Sequence, residues 1–353
     1  MGNLTRVGLR LGAAALLLAG LGAGAPAGAQ AAGGSGYKVT QKYTVGGEGG
    51  WDYLTMDSAG RRLYLTRGNH VMVVDADSGK PLADIVDLSG THGVALATSA
   101  GKGFISNGRA STITVFDLKT NKVIDTVKST GENPDAIIYD PASKRVFAFN
   151  GRSKNATVLD AASGKVAGTV ALDGKPEFAV SDGKGKVFVN IEDKGEVQAI
   201  DARKLAVVAS WPIAGCEEPS GLAIDRTHSR LISVCGNKVM AILDASNGKL
   251  VATVPIGAGV DAAAFDPATG LAFSSNGADA TLTVVHEDSP DKWTVVENVP
   301  TQKGARTMAL DEKNHRVYLV TSDFGEPPAP TTEQPHPRPP MVPNTFTVLV
   351  VGK

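Results

Sequence analysis

The sequence predicts an all-β fold, a seven-bladed β-propeller of four-stranded blades whose ring is closed by an N-terminal strand completing the last blade. Three observations carry this expectation. A phrase of strand, aspartate, tight turn and Gly-Lys returns along the chain, its step is nearly constant, and helical patterning is scarce. The phrase reads Val-Met-Val-Val-Asp75-Ala-Asp-Ser-Gly79-Lys80, then Ile-Thr-Val-Phe-Asp117-Leu-Lys-Thr-Asn121-Lys122. It returns as Ala-Thr-Val-Leu-Asp160-Ala-Ala-Ser-Gly164-Lys165 and Met-Ala-Ile-Leu-Asp244-Ala-Ser-Asn-Gly248-Lys249, with a weaker copy ending at Asp201. The steps between these aspartates are 42, 43, 41 and 43 residues. A period in that range, with several strands per unit, belongs to a propeller blade rather than a helical array. Val, Ile, Thr, Phe and Tyr come in short runs between Gly, Asn, Asp and Pro, as strands and turns require.

Residues 1–31 read as a secretory leader. Arg6 and Arg10 precede an apolar stretch, Leu11 to Leu21, and small residues follow to Ala27-Gly28-Ala29-Gln30-Ala31. The stretch is shorter than the ~20 apolar residues of a spanning helix, so an exported chain, periplasmic or secreted, is expected, with no transmembrane segment in its mature part. Residues 32–353 are then the propeller. Without Arg6 and Arg10 it keeps 33 basic and 36 acidic side chains, a net charge of −3, with no basic cluster. That argues against nucleic-acid binding, which rests on a concentrated basic surface.

Each unit resolves into strands a to d. In the second unit these are Gly93–Ala97, Lys102–Ser106, Thr112–Asp117 and Val123–Lys128. The a–b hinges carry Asp57, Asp140, Asp225, Asp266 and Asp311, and the c–d turns carry the repeated aspartate with Gly or Asn. Asp bonds its own backbone two residues on, while Gly and Asn tolerate positive φ, so these aspartates read as structural. Strands c end at 75, 117, 160, 201, 244, 286 and 350 once an insertion at 325–343 is set aside. That segment is too rich in proline for sheet. The seventh unit lacks strand d, and Tyr37–Val45 precedes the first unit as an orphan. Placing that orphan as the missing strand closes the ring without a free edge.

The phrase resembles the repeat of the YVTN-type, YncE-like β-propeller family. So do the strand-b matches Arg62-Leu-Tyr64, Arg145-Val-Phe147, Lys186-Val-Phe188 and Arg316-Val-Tyr318. The resemblance covers essentially all of the mature chain. It implies an exported seven-bladed propeller that acts as a binding protein, and places the chain in a bacterial cell envelope. Two units depart from the pattern, with Arg-Lys-Leu in unit four and His286-Glu-Asp-Ser-Pro in unit six.

Propeller sites gather where the strand-a entrances converge on the central channel. Alignment on the hinges gives the ring Asp52, Gly93, Asp135, Glu177, Ser220, Asp261 and Arg306. It is preceded by Trp51, His92, Pro134, Pro176, Pro219, Val260 and Ala305, with Glu217 and Glu218 nearby. Trp51, Asp52, His92, Asp135, Glu177, Glu217, Asp261 and Arg306 are the channel-mouth candidates. Asp52, Asp135, Glu177 and Asp261 could converge on a hard cation, Ca²⁺ or Mg²⁺, which takes oxygen ligands. Acids that merely face solvent or bond strand-start amides are the plainer reading, and no cofactor is otherwise expected. A non-enzymatic binding or assembly module is the leading expectation, with a protein or small-molecule partner on the mouth face, and the chain is expected to be a monomer. A metal-dependent lactonase-like hydrolase is the alternative, the ion polarising a carbonyl or activating water. No catalytic residue can be named. The chain has no Gly-x-Ser-x-Gly elbow, His-Glu-x-x-His, Cys-x-x-Cys-His or phosphate loop.

Three other features stand out. Cys216 and Cys235 bracket one hairpin, and antiparallel pairing across the 225–230 turn would bring them together as a disulfide. His228 and His315 sit on hinges, expected to face solvent, while His70 could join His92 at the mouth. The proline-rich insertion joins strands b and c of the last unit and should emerge on the face of the strand-a entrances, as a partner-binding loop or a tolerated insert.

Overall fold

The computed structural model describes residues 1–2, 34–331 and 337–353. Two compact units divide the chain, Met1–Ala32 and Gly33–Lys353. The expected leader falls in the first and lies, but for its first two residues, outside the described residues. No helix among the described residues is long and apolar enough to cross a membrane.

The second unit is a ring of seven four-stranded antiparallel sheets. Six blades run in chain order, over 54–85, 91–128, 134–171, 176–212, 219–255 and 260–300. The seventh takes strands a, b and c from Met308–Asp311, Arg316–Thr321 and Thr347–Gly352, and strand d from Lys38–Thr44. The closing strand pairs Lys38 with Gly352 and Thr44 with Thr347. Strand limits move slightly from the sequence reading: strands a and b of blade two are Thr91–Ala97 and Lys102–Asn107, and the closing strand is one residue shorter at each end.

Apolar layers lie between neighbouring blades. Ile232, Val234, Met240 and Ile242 of blade five, for example, pack with Phe265, Ala272, Val285 and Trp293 of blade six. Burying each such side chain contributes about 1.5–3 kcal/mol, so the blades hold one another rather than standing alone.

The repeated aspartates do what turn chemistry asks. Asp117 Oδ1 accepts from the Lys119 and Thr120 amides and the Thr120 hydroxyl, and Asp244 Oδ1 does the same for Ser246. Hydrogen bonds to Thr120 hold the exposed Asp117 carboxyl below its usual range. The following turn position is left-handed in each of these blades: Gly79, Asn121, Gly164, Leu205 and Gly248 have φ of 68°, 55°, 75°, 56° and 74°. At Gly248 a second constraint is added, because a Cβ there would lie 2.0 Å from Cγ of Trp211 in strand d of blade four. At Gly164 the nearest atom would be 3.5 Å away. Gly248→Ala is therefore expected to cost about 2–4 kcal/mol, combining left-handed strain with overpacking, and Gly164→Ala only about 1. Urea denaturation of both variants checks this; equal costs would remove the packing argument.

Three of the hinge aspartates, Asp140, Asp266 and Asp311, are buried ties between blades as well as turn residues. Asp140 accepts from Ser181 Oγ of blade four at 2.5 Å, and Asp311 binds Arg61 of blade one at 2.5 Å. Asp266 accepts from His315 Nδ1 of blade seven at 2.7 Å. His228 and His315 keep the solvent exposure expected of them, and each is also held by a buried carboxylate. His228 Nδ1 lies 2.8 Å from the buried Asp225 and 3.0 Å from Glu287, so both rings are half exposed yet held by carboxylates.

Cys216 and Cys235 form a disulfide with Cα atoms 5.4 Å apart. Pro219 faces Cys235 in the ladder, which brings the preceding loop back over the blade. Closing a loop of this size restricts the unfolded chain by roughly 3 kcal/mol.

Candidate functional site at the channel mouth

The ladder corrects the sequence ring at one position. Register pairs Leu54 with Leu65, Val94 with Ile105 and Ile137 with Ala148, so the residue two before each is equivalent: Asp52, His92 and Asp135. His92, not Gly93, is the blade-two member. Blade two has Ala97 where most blades have a hinge aspartate, and its hinge continues into a 3-10 turn, Thr98–Ala100, which shifts a hinge-based alignment by one. The ring is Asp52, His92, Asp135, Glu177, Ser220, Asp261 and Arg306.

Neighbouring blades fix its backbone. Thr307 Oγ1 donates to the Asp52 carbonyl at 2.8 Å, Ser106 Oγ to that of Asp135 at 2.5 Å and Asn190 Nδ2 to that of Ser220 at 2.9 Å. Before blade one, the buried Arg67 guanidinium donates to the carbonyls of Gly46, Gly47, Glu48 and Gly49 and lies 3.7 Å over the Phe346 ring. It pins the glycine-rich lead-in that presents Trp51 and Asp52. Burial lowers Arg67 to about 10 against the pull of Asp84, and its two terminal nitrogens donate to carbonyls while Nε is left without a partner.

Around the mouth the charges alternate. Arg306 binds Asp261 in a short contact and lies 3.5 Å from Asp52. His92 Nδ1 is 2.6 Å from Asp52 and 3.5 Å from Asp135. Glu177 pairs with Lys175 Nζ at 2.7 Å, and Lys175 also reaches Glu192 in a short contact. The sequence ring foresaw the four carboxylates together with Arg306 and the adjacent His92, but not Lys175. Burial pushes Asp261 up to about 6 against the pull of Arg306, and Asp135 up to about 6 against His92. Burial also raises Glu177, to about 8, against the opposing hydrogen bond of Lys175. At His92 burial acts downward, but the Asp52 hydrogen bond and the surrounding acids outweigh it and the ring is raised.

Just inside the ring the channel is stopped. The next residues inward are Tyr53, Gly93, Ala136, Phe178, Gly221, Ala262 and Thr307, two aromatics among five small residues. Tyr53 of blade one and Phe178 of blade four pack with ring centroids 4.7 Å apart, and Tyr53 donates to the Asp261 carbonyl of blade six at 2.9 Å. The small residues make room for this plug: a Cβ on Gly221 would lie 2.6 Å from the Ala262 backbone. Burial drives the Tyr53 hydroxyl well above its ordinary pKa, so it stays neutral. Beyond the plug lies a separate 500 Å³ cavity lined largely by aliphatic strand residues.

Above the ring is a 770 Å³ basin whose wall includes Trp51, Asp52, His92, Arg109, Arg152 and Arg306. Trp51 and Arg306 also line an adjoining 440 Å³ slot, completed by Phe324 and by Arg338, Pro339 and Met341 from the proline-rich insertion. The ends of that insertion are tied by a Gly325 amide bond to the Pro340 carbonyl and a Val342 amide bond to Asp323. Residues 332–336 within it lie outside the described residues.

Two expected neighbours are absent from this site. Glu217 and Glu218 stay exposed on the disulfide loop and line neither cavity. His70 bonds Asn69 at 2.8 Å and faces Asp84 at 4.0 Å, away from the His92 cluster.

The class is therefore a seven-bladed propeller with a plugged channel and a charged basin at one mouth. No protein-family model matches the chain, and no curated protein matches it. Solved structures do. A hydrazine synthase structure from Kuenenia stuttgartiensis is similar over 76% of this chain and 92% of that one, with a TM-score of 0.68 and 16% identity. A structure of U3-55K is similar over 89% and 99%, at 0.73 and 9%. A chain of a mitotic checkpoint complex is similar over 98% and 99%, at 0.73 and 13%. At such identities the likeness establishes the fold alone.

Proposed function

We propose that the chain is an exported, non-enzymatic binding module of the bacterial cell envelope, of the YVTN-type, YncE-like kind, which holds its partner at the channel mouth. The observation that carries this reading is the basin itself: open above, stopped below by Tyr53 and Phe178, with the charges of its ring already paired. A plugged channel conducts nothing, so a ligand entering the mouth meets a floor. Aromatic and proline residues in the adjoining slot supply apolar contact area of the kind interfaces use. The disulfide fits an oxidising compartment. One structural neighbour is itself part of a protein complex, the mitotic checkpoint complex.

The hydrolase reading keeps one supporting observation. Asp52, His92 and Asp135 offer ligand atoms that all lie within 4.8 Å of one another. This is a different set from the four carboxylates, since Glu177 and Asp261 are engaged by Lys175 and Arg306. An imidazole in the set suits a transition ion better than Ca²⁺ or Mg²⁺.

Capture from periplasmic extract separates the readings. Wild-type protein is expected to retain a partner that Arg306→Ala or deletion of 326–342 releases, whereas Lys119→Ala on the opposite c–d face leaves it bound. Release by Lys119→Ala alone would move the site to the other face. Heat on adding Ca²⁺, Mg²⁺ or Zn²⁺ to chelator-treated protein, together with turnover of simple lactones, would select the hydrolase.

A further inference from the structure

The molecule spends its arginines on structure nearly everywhere except at the mouth. Arg61 binds Asp77 and Asp311, Arg145 donates to the carbonyls of Ala202 and Arg203, and Arg226 donates to Ser181. Arg230 and Arg306 are held by carboxylates. Among the described residues, Arg109, Arg152 and Arg338 have no hydrogen bond or ion pair, and all three line the mouth cavities.

Two of them come from one repeated device. Asn-Gly-Arg occurs at 107–109 and 150–152, at the b–c turns of blades two and three. The asparagine is a buried staple: Asn107 Nδ2 donates to Thr112 and Thr114 at 3.2 and 2.9 Å, and Asn150 Nδ2 to Asn155 and Thr157 at 2.6 and 2.9 Å. In blade two the glycine keeps the turn close to the ring, since a Cβ on Gly108 would lie 2.6 Å from Nε2 of His92, whereas at Gly151 the nearest atom would be 3.5 Å away. The arginine is then carried outward from a rigid turn, exposed, beside the ring. Blade six repeats the staple, Asn276 to Thr281 and Thr283, but places Ala278 where the arginine would be. The staple therefore does not require the arginine.

We propose that this mouth binds a small ligand bearing more than one oxyanion group. Arg109 and Arg152 grip one oxyanion in the basin, and Arg338 takes a second at the slot. The assignment rests on the mouth reading above and deepens it. Planar guanidinium groups suit carboxylate and phosphate because each can donate two parallel bonds. Glu132 lines the same basin and opposes a further anionic group on its side, which favours a hydroxylated ligand there.

Citrate and pyrophosphate are the probes, one for carboxylate and one for phosphate chemistry, titrated calorimetrically at matched ionic strength so that screening is constant. At least one is expected to bind saturably to the full chain. Arg109→Ala with Arg152→Ala should weaken it at least tenfold, and the corresponding lysine pair should recover only part of that. Arg203→Ala, on the opposite face, should leave it unchanged. Melting without ligand confirms that the variants fold. No saturable binding of either probe, or equal weakening by Arg203→Ala, overturns the assignment, as does binding that the double variant retains. If it is overturned while Arg306→Ala still releases a captured partner, the mouth reading stands without it.

Discussion

A chain lacking residues 37–45 is expected to yield no monomeric, cooperatively melting propeller. Strand c of blade seven, Thr347–Gly352, is buried at every position and would become an open apolar edge. The lost strand also ties three blades. Tyr37 packs 5.3 Å from Phe273 of blade six and donates to the His315 carbonyl at 3.0 Å, while Tyr43 donates to the Asp77 carbonyl of blade one at 2.7 Å. Losing a six-pair ladder and a buried tyrosine costs a large share of the 5–15 kcal/mol that holds a typical domain. Gel filtration is expected to show aggregate, and a peptide spanning 34–46 added during refolding should restore monomer. A monomer with an unchanged melt would show that six complete blades and one three-stranded blade suffice.

Stability is expected to fall as pH rises from 5 to 8, the reverse of the usual expectation for a protein rich in hydrogen-bonded carboxylates. Asp135 and Asp261 rise from 3.8 to about 6, and Glu177 from 4.5 to about 8, burial being the main cause in each. A carboxyl raised on folding holds its proton better in the native state. Its contribution is full below the unfolded value and disappears as pH passes the folded one. His92, also raised, adds in the same sense, while the half-buried His70 is lowered and opposes them below its ordinary value. The turn acids Asp117, Asp160, Asp201 and Asp244 are depressed, so their contribution is constant above pH 5 and is lost only in acid. The net effect is a melting temperature that falls from pH 5 to pH 8. Glu177→Gln should flatten the upper half of the profile and Asp135→Asn the lower half. A melting temperature that climbs from pH 5 to 8 would contradict the alternating-ring electrostatics.

What could be read from the sequence was whatever a local rule enforces. Asp117 and Thr120, or Asp160 and Ser163, stand at fixed separation because one turn needs both, so the turns, the blade count and the closing strand follow from spacing alone. The disulfide was legible for a similar reason, since a hairpin register fixes which cysteine faces which. The mouth depended on tertiary reach. Lys175 bonds Glu177 and Glu192 across one loop, and Arg306 bonds acids of blades six and one, distances no repeat encodes. The one slip within the ring, Gly93 for His92, came from a blade whose hinge aspartate is replaced by Ala97. The plug was hidden behind it. With the ring correctly aligned, Tyr53 and Phe178 are the only large residues at the next position inward, and that pattern was present in the sequence. So was the second repeated phrase, Asn-Gly-Arg, overshadowed by the more frequent aspartate turn.

The pairing of Lys38 with Gly352 has a geometric consequence. In the other six blades a short turn joins strands c and d on the side away from the mouth; in blade seven strand c ends at Gly352 and strand d begins at Lys38 at that place. A surface linkage made through Lys353 departs from the face of the propeller opposite the mouth. The basin then looks outward, so immobilisation through the C-terminal residue would leave the mouth unobstructed.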